Sequence, residues 1–239
     1  MRNYSKFEQG LEMLNMHLSK DQLEQFDMFY ELLTETNKVM NLTAITDFDE
    51  VIEKHFLDSA ALFKAVDLKK ELTLMDVGTG AGFPGIPLKI IFPNLKVTLL
   101  DSLNKRVHFL ENIIQSLKLN NIKALHGRAE DYGRNPDYRE KFDLCVSRAV
   151  ANLSTLSEYC LPFVKVGGKF ISYKSGNIDQ ELESSKKAVS ILGGNIHEIK
   201  GFKLPGSDIH RSLVVIEKAE PTKKAYPRNA GKPSKEPLG

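Results

Sequence analysis

From residue 72 onward the chain alternates short apolar runs with segments of helical period, and its last two runs lie too close together for a helix between them. The runs are TLMDV at 73–77, KVTLLD at 96–101, IKALH at 122–126, FDLCVS at 142–147 and GKFISY at 168–173. Helices are predicted near 86–92, 103–117, 152–164 and 178–192. In the second of these Leu103, Val107, Leu110, Ile114 and Leu117 form one stripe and Ser102 is placed to cap the start. That alternation predicts βα units on a parallel sheet. Runs at about 195–203 and 211–217 follow, separated by some seven residues. A parallel crossover needs about a dozen residues or more, so this pair is expected to be antiparallel.

The first 70 residues read differently. Leu23, Phe26, Tyr30 and Leu33 recur at helical spacing over 20–39. A second helix is predicted over 48–66, opened by Asp47 with Glu50 three residues on, and His55, Phe56, Ala60 and Phe63 share one face. With 41% hydrophobic and 27% charged residues in 239, the chain can bury one core with an appendage. We divide it into a helical extension (1–70), a central α/β domain (71–218) and a tail (219–239).

The tail holds Lys223, Lys224, Arg228, Lys232 and Lys235 against Glu220 and Glu236, and four of the ten prolines. With a net charge of only +2 for the whole chain, any nucleic-acid surface must be local, and the tail is read either as a solubilising segment or as an arm on phosphate. Cys145 and Cys160 lack metal or disulfide spacing, so no metal is expected and a reducing, cytoplasmic setting is. Neither a leader nor a membrane span is expected.

Five parallel strands closed by an antiparallel pair is the layout of class I methyltransferases, a Rossmann-like α/β fold with a seven-stranded sheet whose last strand is antiparallel. After the first strand comes Asp76-Val77-Gly78-Thr79-Gly80-Ala81-Gly82-Phe83-Pro84-Gly85. Gly80, Gly82 and Gly85 satisfy the dinucleotide spacing G-x-G-x-x-G, with Asp101 21 residues beyond Gly80. Asp76, Gly78, Gly80 and Gly82 equally satisfy D-x-G-x-G-x-G, the first motif of enzymes that use S-adenosylmethionine. In both readings Asp101 takes the ribose hydroxyls. Asp76 decides between them, because a carboxylate repels a pyrophosphate and tolerates an ammonium and a sulfonium. We therefore expect S-adenosylmethionine, with S-adenosylhomocysteine as product.

Two more strand ends face the same crevice. His126-Gly127-Arg128-Ala129-Glu130 offers an acid to an adenine amino group, although Glu130 also suits a helix start. Arg148, after the fourth strand, is too costly to bury without a partner or a site role. No N-P-P-Y, D-P-P-Y or Pro-Cys occurs, which argues against exocyclic amine and cytosine C5 methylation. Guanine N7 carries an in-plane lone pair and no proton, so positioning alone can drive its alkylation.

The chain resembles the RsmG (GidB) family of bacterial 16S rRNA guanine-N7 methyltransferases. The resemblance rests on Asn41-Leu42-Thr43-Ala44-Ile45, His55-Phe56-Leu57-Asp58-Ser59, the loop 76–88, Asp101-Ser102-Leu103 with Lys105-Arg106, Arg128-Ala129-Glu130, Ser147-Arg148-Ala149 and Tyr226-Pro227-Arg228. It implies that Gly78 and Phe83 contact the cofactor, that Ala129 and Glu130 hold its adenine end, and that Arg148 stands at the junction of cofactor and target, both as a cofactor contact and as the catalytic candidate. Gly80, Asp101 and Ser102 complete the expected cofactor set. The implied partner is 16S rRNA or the small ribosomal subunit, met by a monomer, with Lys105, Arg106, Arg128, Lys174 and Arg228 as candidate RNA contacts. His55 is read equally as a core or a site residue. A nucleotide-dependent oxidoreductase and a non-catalytic ribosome-assembly factor are the competing readings.

Overall fold

The computed structural model describes residues 2–148 and 151–239. Among these, one sheet runs in the order β3-β2-β1-β4-β5-β7-β6. Its strands are β1 Thr73–Val77, β2 Lys96–Asp101, β3 Ile122–His126, β4 Phe142–Ser147, β5 Val164–Lys174, β6 Gly194–Lys203 and β7 His210–Lys218. β1 to β5 pair in parallel, and β7 runs antiparallel between β5 and β6, as the short connection between the last two runs requires. Strand order reverses at β1 and β4, which opens a crevice at their carboxyl ends.

The helices are α1 Ser5–Glu12, α2 Lys20–Met40, α3 Phe48–Val51, α4 Asp58–Ala60, α5 Gly85–Ile91, α6 Asn104–Ser116, α7 Ala129–Tyr132, α8 Leu153–Cys160, α9 Asp179–Ile191 and α10 Lys232–Lys235. Ser19 and Gln22 form a reciprocal capping box at the start of α2. Ser102 does not cap α6. Leu103 occupies the capping position, and Asp101 Oδ1 accepts the Leu103 N–H at 2.9 Å instead.

The expected continuous helix over 48–66 is broken. Asp47 does accept the Glu50 N–H at 3.0 Å, but α3 then widens into a π-helical turn, Ile52–Leu57, followed by α4 and the 3-10 turn Ala61–Lys64. Widened turns of this kind concentrate at functional sites, and this one carries His55 and leads into Asp58.

The helical extension is not set apart in space. Phe7, Phe26, Phe29 and Phe56 are fully buried, with the Phe7 and Phe26 rings 4.8 Å apart and Phe29 reaching Phe83 of the glycine loop at 5.3 Å. Each such burial stabilises by roughly 1.5–3 kcal/mol, so the loop is braced from behind by the extension. Cys145 and Cys160 are buried as small apolar groups, and burial pushes the Cys145 thiol pKa up.

The tail is not a free arm. Arg139 donates to the Thr222 and Tyr226 carbonyls at 2.6 and 2.8 Å, and Arg134 Nε donates to Pro227 O at 2.8 Å. Composition suggested a solvated basic segment. Its carbonyls are bound by arginines of the body, while Lys223, Lys224, Lys232 and Lys235 stay exposed.

Candidate active site

Two cavities open at the carboxyl ends of the strands, one on each side of the β4 terminus. The first, about 220 Å³, is walled by the β1 end at Gly78, by Asp101 and Ser102 after β2, and by Arg128, Ala129 and Glu130 after β3. The second, about 730 Å³, is walled by His55, Asp58, Arg148, Lys174 and Arg211. Ser147 lines the first and Arg148 the second, so two consecutive residues face different cavities. Ala149 and Val150, which complete that strand-end run, lie outside the described residues.

Asp76 organises the glycine loop. Its Oδ2 accepts from Thr79 Oγ1 at 2.7 Å and from the Gly85 N–H at 2.9 Å, tying both sides of the loop to β1. A Cβ on Gly85 would come within 2.3 Å of Leu99 Cδ2 and 2.8 Å of Asp76 Oδ2, which explains the glycine there. Gly80, at φ +61, has open space where a Cβ would stand. The other oxygen of Asp76, Oδ1, is buried without a hydrogen-bond partner among the described residues, and desolvation pushes this carboxyl up to about 6.

Asp101 is held ready at the end of β2: Oδ2 accepts the Gly80 N–H at 2.9 Å while Oδ1 holds Leu103, and Arg106 stands 3.5 Å away. Glu130, 5% exposed, accepts the Gly231 N–H at 2.7 Å. The first cavity is thus fringed by buried carboxylates. A pyrophosphate there would face Asp101 and Glu130 across low-dielectric space, whereas a cationic ligand complements them. This acidic wall and the glycines Gly78, Gly127 and Gly231 beside it fit S-adenosylmethionine, while Gly80 stands outside the wall and reaches it through its amide on Asp101.

The second cavity centres on Asp58, whose side chain is 4% exposed. Arg148 Nη1 donates to Oδ2 at 2.9 Å, and Arg211 Nε to Oδ1 at 3.2 Å. Arg148 also donates to the Lys54 carbonyl at 3.1 Å, and its guanidinium lies 5.1 Å over the Phe83 ring. The costly arginine of the sequence reading therefore has partners and lines a cavity as well.

His55 stacks on Phe83 at 4.4 Å, its Nε2 2.9 Å from Thr43 Oγ1 and its Nδ1 3.2 Å from Arg148 Nη2. Nδ1 also lies 3.1 Å from the Lys54 carbonyl, so both ring nitrogens are engaged. Burial, followed by the Arg148 charge, lowers the His55 pKa to about 3, so the ring is neutral at pH 7. A depressed histidine pKa contributes stability above the unfolded value of 6.5 and loses it as pH falls toward 3. The stability difference between wild type and His55→Gln should therefore shrink by about 2 kcal/mol between pH 7 and pH 5. Denaturant titrations at the two pH values measure it, and a constant difference would mean that the ring is not held neutral.

Several expected residues fall elsewhere. The Phe83 ring packs among His55, Phe29 and Phe56 rather than in the wall of the first cavity, so it braces the second cavity. Lys174 donates to Glu181 at 2.6 Å and to the Ala151 carbonyl at 2.8 Å, and Arg228 is engaged by the buried Glu158. Both residues are thus paired within the fold, Lys174 while lining the second cavity. Lys105 and Arg128 are exposed, Arg128 in the wall of the first cavity, and Arg106 is half-buried beside Asp101. Sequence reasoning missed Asp58 and Arg211. Asp58 is three residues after His55 on one helical face, a signal that could have found it; Arg211 comes from β7 and has no local signal.

Sheet order, glycine loop and acidic strand end define a class I methyltransferase fold, and solved structures share it. The YcgJ protein of Bacillus subtilis superposes with TM-score 0.54 at 14% identity over 70% of this chain and 100% of that one. Precorrin-6y C5,15-methyltransferase of Geobacter metallireducens does so at 0.51 and 13% identity, covering 67% and 87%. The chain belongs to the GidB family, rRNA small subunit methyltransferase G, whose model matches residues 22–214. Relatives described as ribosomal RNA small subunit methyltransferase G include one from Lachnoclostridium phytofermentans, 56% identical over 100% of this chain and 98% of the relative. Another, from Bacillus licheniformis, is 50% identical over 99% of each.

Proposed function

We propose that this protein transfers the methyl group of S-adenosylmethionine to N7 of a guanine in 16S rRNA of the small ribosomal subunit. The observation that carries the reading is the pair of cavities meeting at the β4 end, one acidic and glycine-lined, the other larger and cationic. When bound, S-adenosylmethionine supplies a sulfonium-activated methyl group and leaves as S-adenosylhomocysteine.

The chain's own residues have three tasks. Gly78, Gly80, Asp101, Ser102, Ala129 and Glu130 hold the cofactor, with Asp101 suited to the ribose hydroxyls and Glu130 to the adenine amino group. Arg148 and Arg211, fixed by Asp58, present donors toward the second cavity, where an arginine can read guanine O6 or hold a phosphate. Phe83 and His55 give the arginines a rigid backing. Both His55 nitrogens are engaged by hydrogen bonds, so His55 is not poised as a general base. An acceptor such as N7, which has no proton to lose, needs none, and holding it in line supplies up to about 7–11 kcal/mol.

Incubating the protein with labelled S-adenosylmethionine and small subunits that lack the modification tests this. One methyl incorporated per 16S rRNA is expected. Cofactor binding without incorporation on RNA or particles would favour the assembly-factor reading, and retention of NAD would favour the oxidoreductase.

A further inference from the structure

We propose that the C-terminal segment 226–238 completes the cofactor cavity and acts as a binding determinant for the adenosine end, not as an RNA arm. The inference rests on the reading of that cavity as an S-adenosylmethionine site.

The tail meets the body through two buried carboxylates. Glu158, on α8, is fully buried and receives the Arg228 backbone N–H at 2.7 Å, its Nε at 2.9 Å and its Nη2 at 2.6 Å. A charge buried that deeply requires a charged, hydrogen-bonded partner, and the tail supplies it. Glu130 is the second carboxylate. Its Oε1 accepts the Gly231 N–H at 2.7 Å, with Gly231 at φ +82, a conformation that favours glycine. Thr155 Oγ1 adds a bond to the Pro233 carbonyl at 3.1 Å.

Beyond this anchor the segment enters the cavity wall. Gly231 and Ser234 face the same space as Ala129, Glu130 and Tyr159. Backbone amides thus hold both strand-end acids: Gly80 and Leu103 engage the two oxygens of Asp101, and Gly231 engages Oε1 of Glu130, leaving Oε2 for a ligand donor. The tail is a positioning element whose fixed partner is the adenine-side acid. Its arginine is turned inward by Glu158, so composition misleads about the tail's role.

The test is calorimetric titration of S-adenosylhomocysteine and 5′-methylthioadenosine, which lacks the amino-acid end, into three proteins. These are the full chain, the chain ending at Ala225, and the full-length Gly231→Pro variant, in which proline removes the amide donor and, being unable to hold φ +82, also releases the 231–234 turn from the cavity wall. For the truncated chain and for Gly231→Pro, Kd should rise about 10- to 100-fold, the range of one charge-assisted hydrogen bond, and by the same factor for both ligands. Affinity for 16S rRNA and its salt slope should stay unchanged.

Unchanged ligand affinity in Gly231→Pro would overturn the proposal, even if truncation alone impairs folding. So would a loss confined to S-adenosylhomocysteine, or a fall in the RNA salt slope on truncation. Absence of binding by the intact chain would overturn the cofactor reading itself, which separates the two failures.

Discussion

Arg148→Ala should lower kcat/KM for rRNA methylation by about 10²- to 10³-fold, the range seen when a preorganised donor is removed from a transition-state site. The fold should survive, because Arg211 still holds Asp58 Oδ1 at 3.2 Å after Arg148 has gone. Affinity for S-adenosylhomocysteine should stay near wild type, since the Arg148 side chain lines the acceptor cavity and not the other one. Arg148→Lys keeps a charge but loses the planar fork that bridges Asp58 and the Lys54 carbonyl, so it should recover only part of the rate. Single-turnover methylation alongside a melting curve reads both quantities. Full activity in a folded Arg148→Ala variant would remove this residue from the mechanism.

Asp101→Ala should act on the opposite side of the crevice. Two backbone amides, Gly80 and Leu103, lose a charged acceptor held at 2.9 Å. Hydrogen bonds to charged groups contribute roughly 1.5–3 kcal/mol each, so the glycine loop should lose about 3 kcal/mol or more of local stability. With the ribose ligand gone as well, Kd for S-adenosylhomocysteine should rise by at least about 100-fold. Calorimetry measures this, and an affinity within about threefold of wild type would show that the β2 carboxylate does not hold the cofactor.

The two predictions probe opposite sides of the β4 end, and the sequence made the two sides unequally legible. The cofactor side is local. A strand, a glycine loop and an acid 21 residues beyond Gly80 announce themselves because backbone conformation dictates the glycines and short connections dictate the strand order. Each of the seven strands contains a run read from the sequence: β1 to β4 match it residue for residue, β6 and β7 extend by one residue at one or both ends, and β5 starts four residues early at Val164 and ends one late at Lys174.

The acceptor side is assembled from distant parts. Asp58 comes from a helix that changes pitch, Arg148 from β4 and Arg211 from β7, and no periodicity links them. The π-helical turn itself leaves no pattern in 48–66, where side-chain spacing alone reads as one helix.

Other misses had a usable signal. Tyr4, Phe7, Leu11 and Leu14 recur at helical spacing and are all buried, so α1 could have been read from them. The tail shows the opposite failure. Lysines, arginines and prolines describe a solvated segment by composition, yet Arg134, Arg139 and Glu158 are fixed by the fold and not by any neighbouring residue. Charge patterning cannot say whether an arginine faces water or a buried carboxylate.

Strand scission at N7-methylguanine in the labelled 16S rRNA identifies the acceptor atom. The incorporated methyl should make the RNA cleavable at a single guanine, and the rate of transfer should be independent of pH across the neutral range because no base is titrated. A methyl retained on RNA that resists cleavage would place it on another atom and contradict the account.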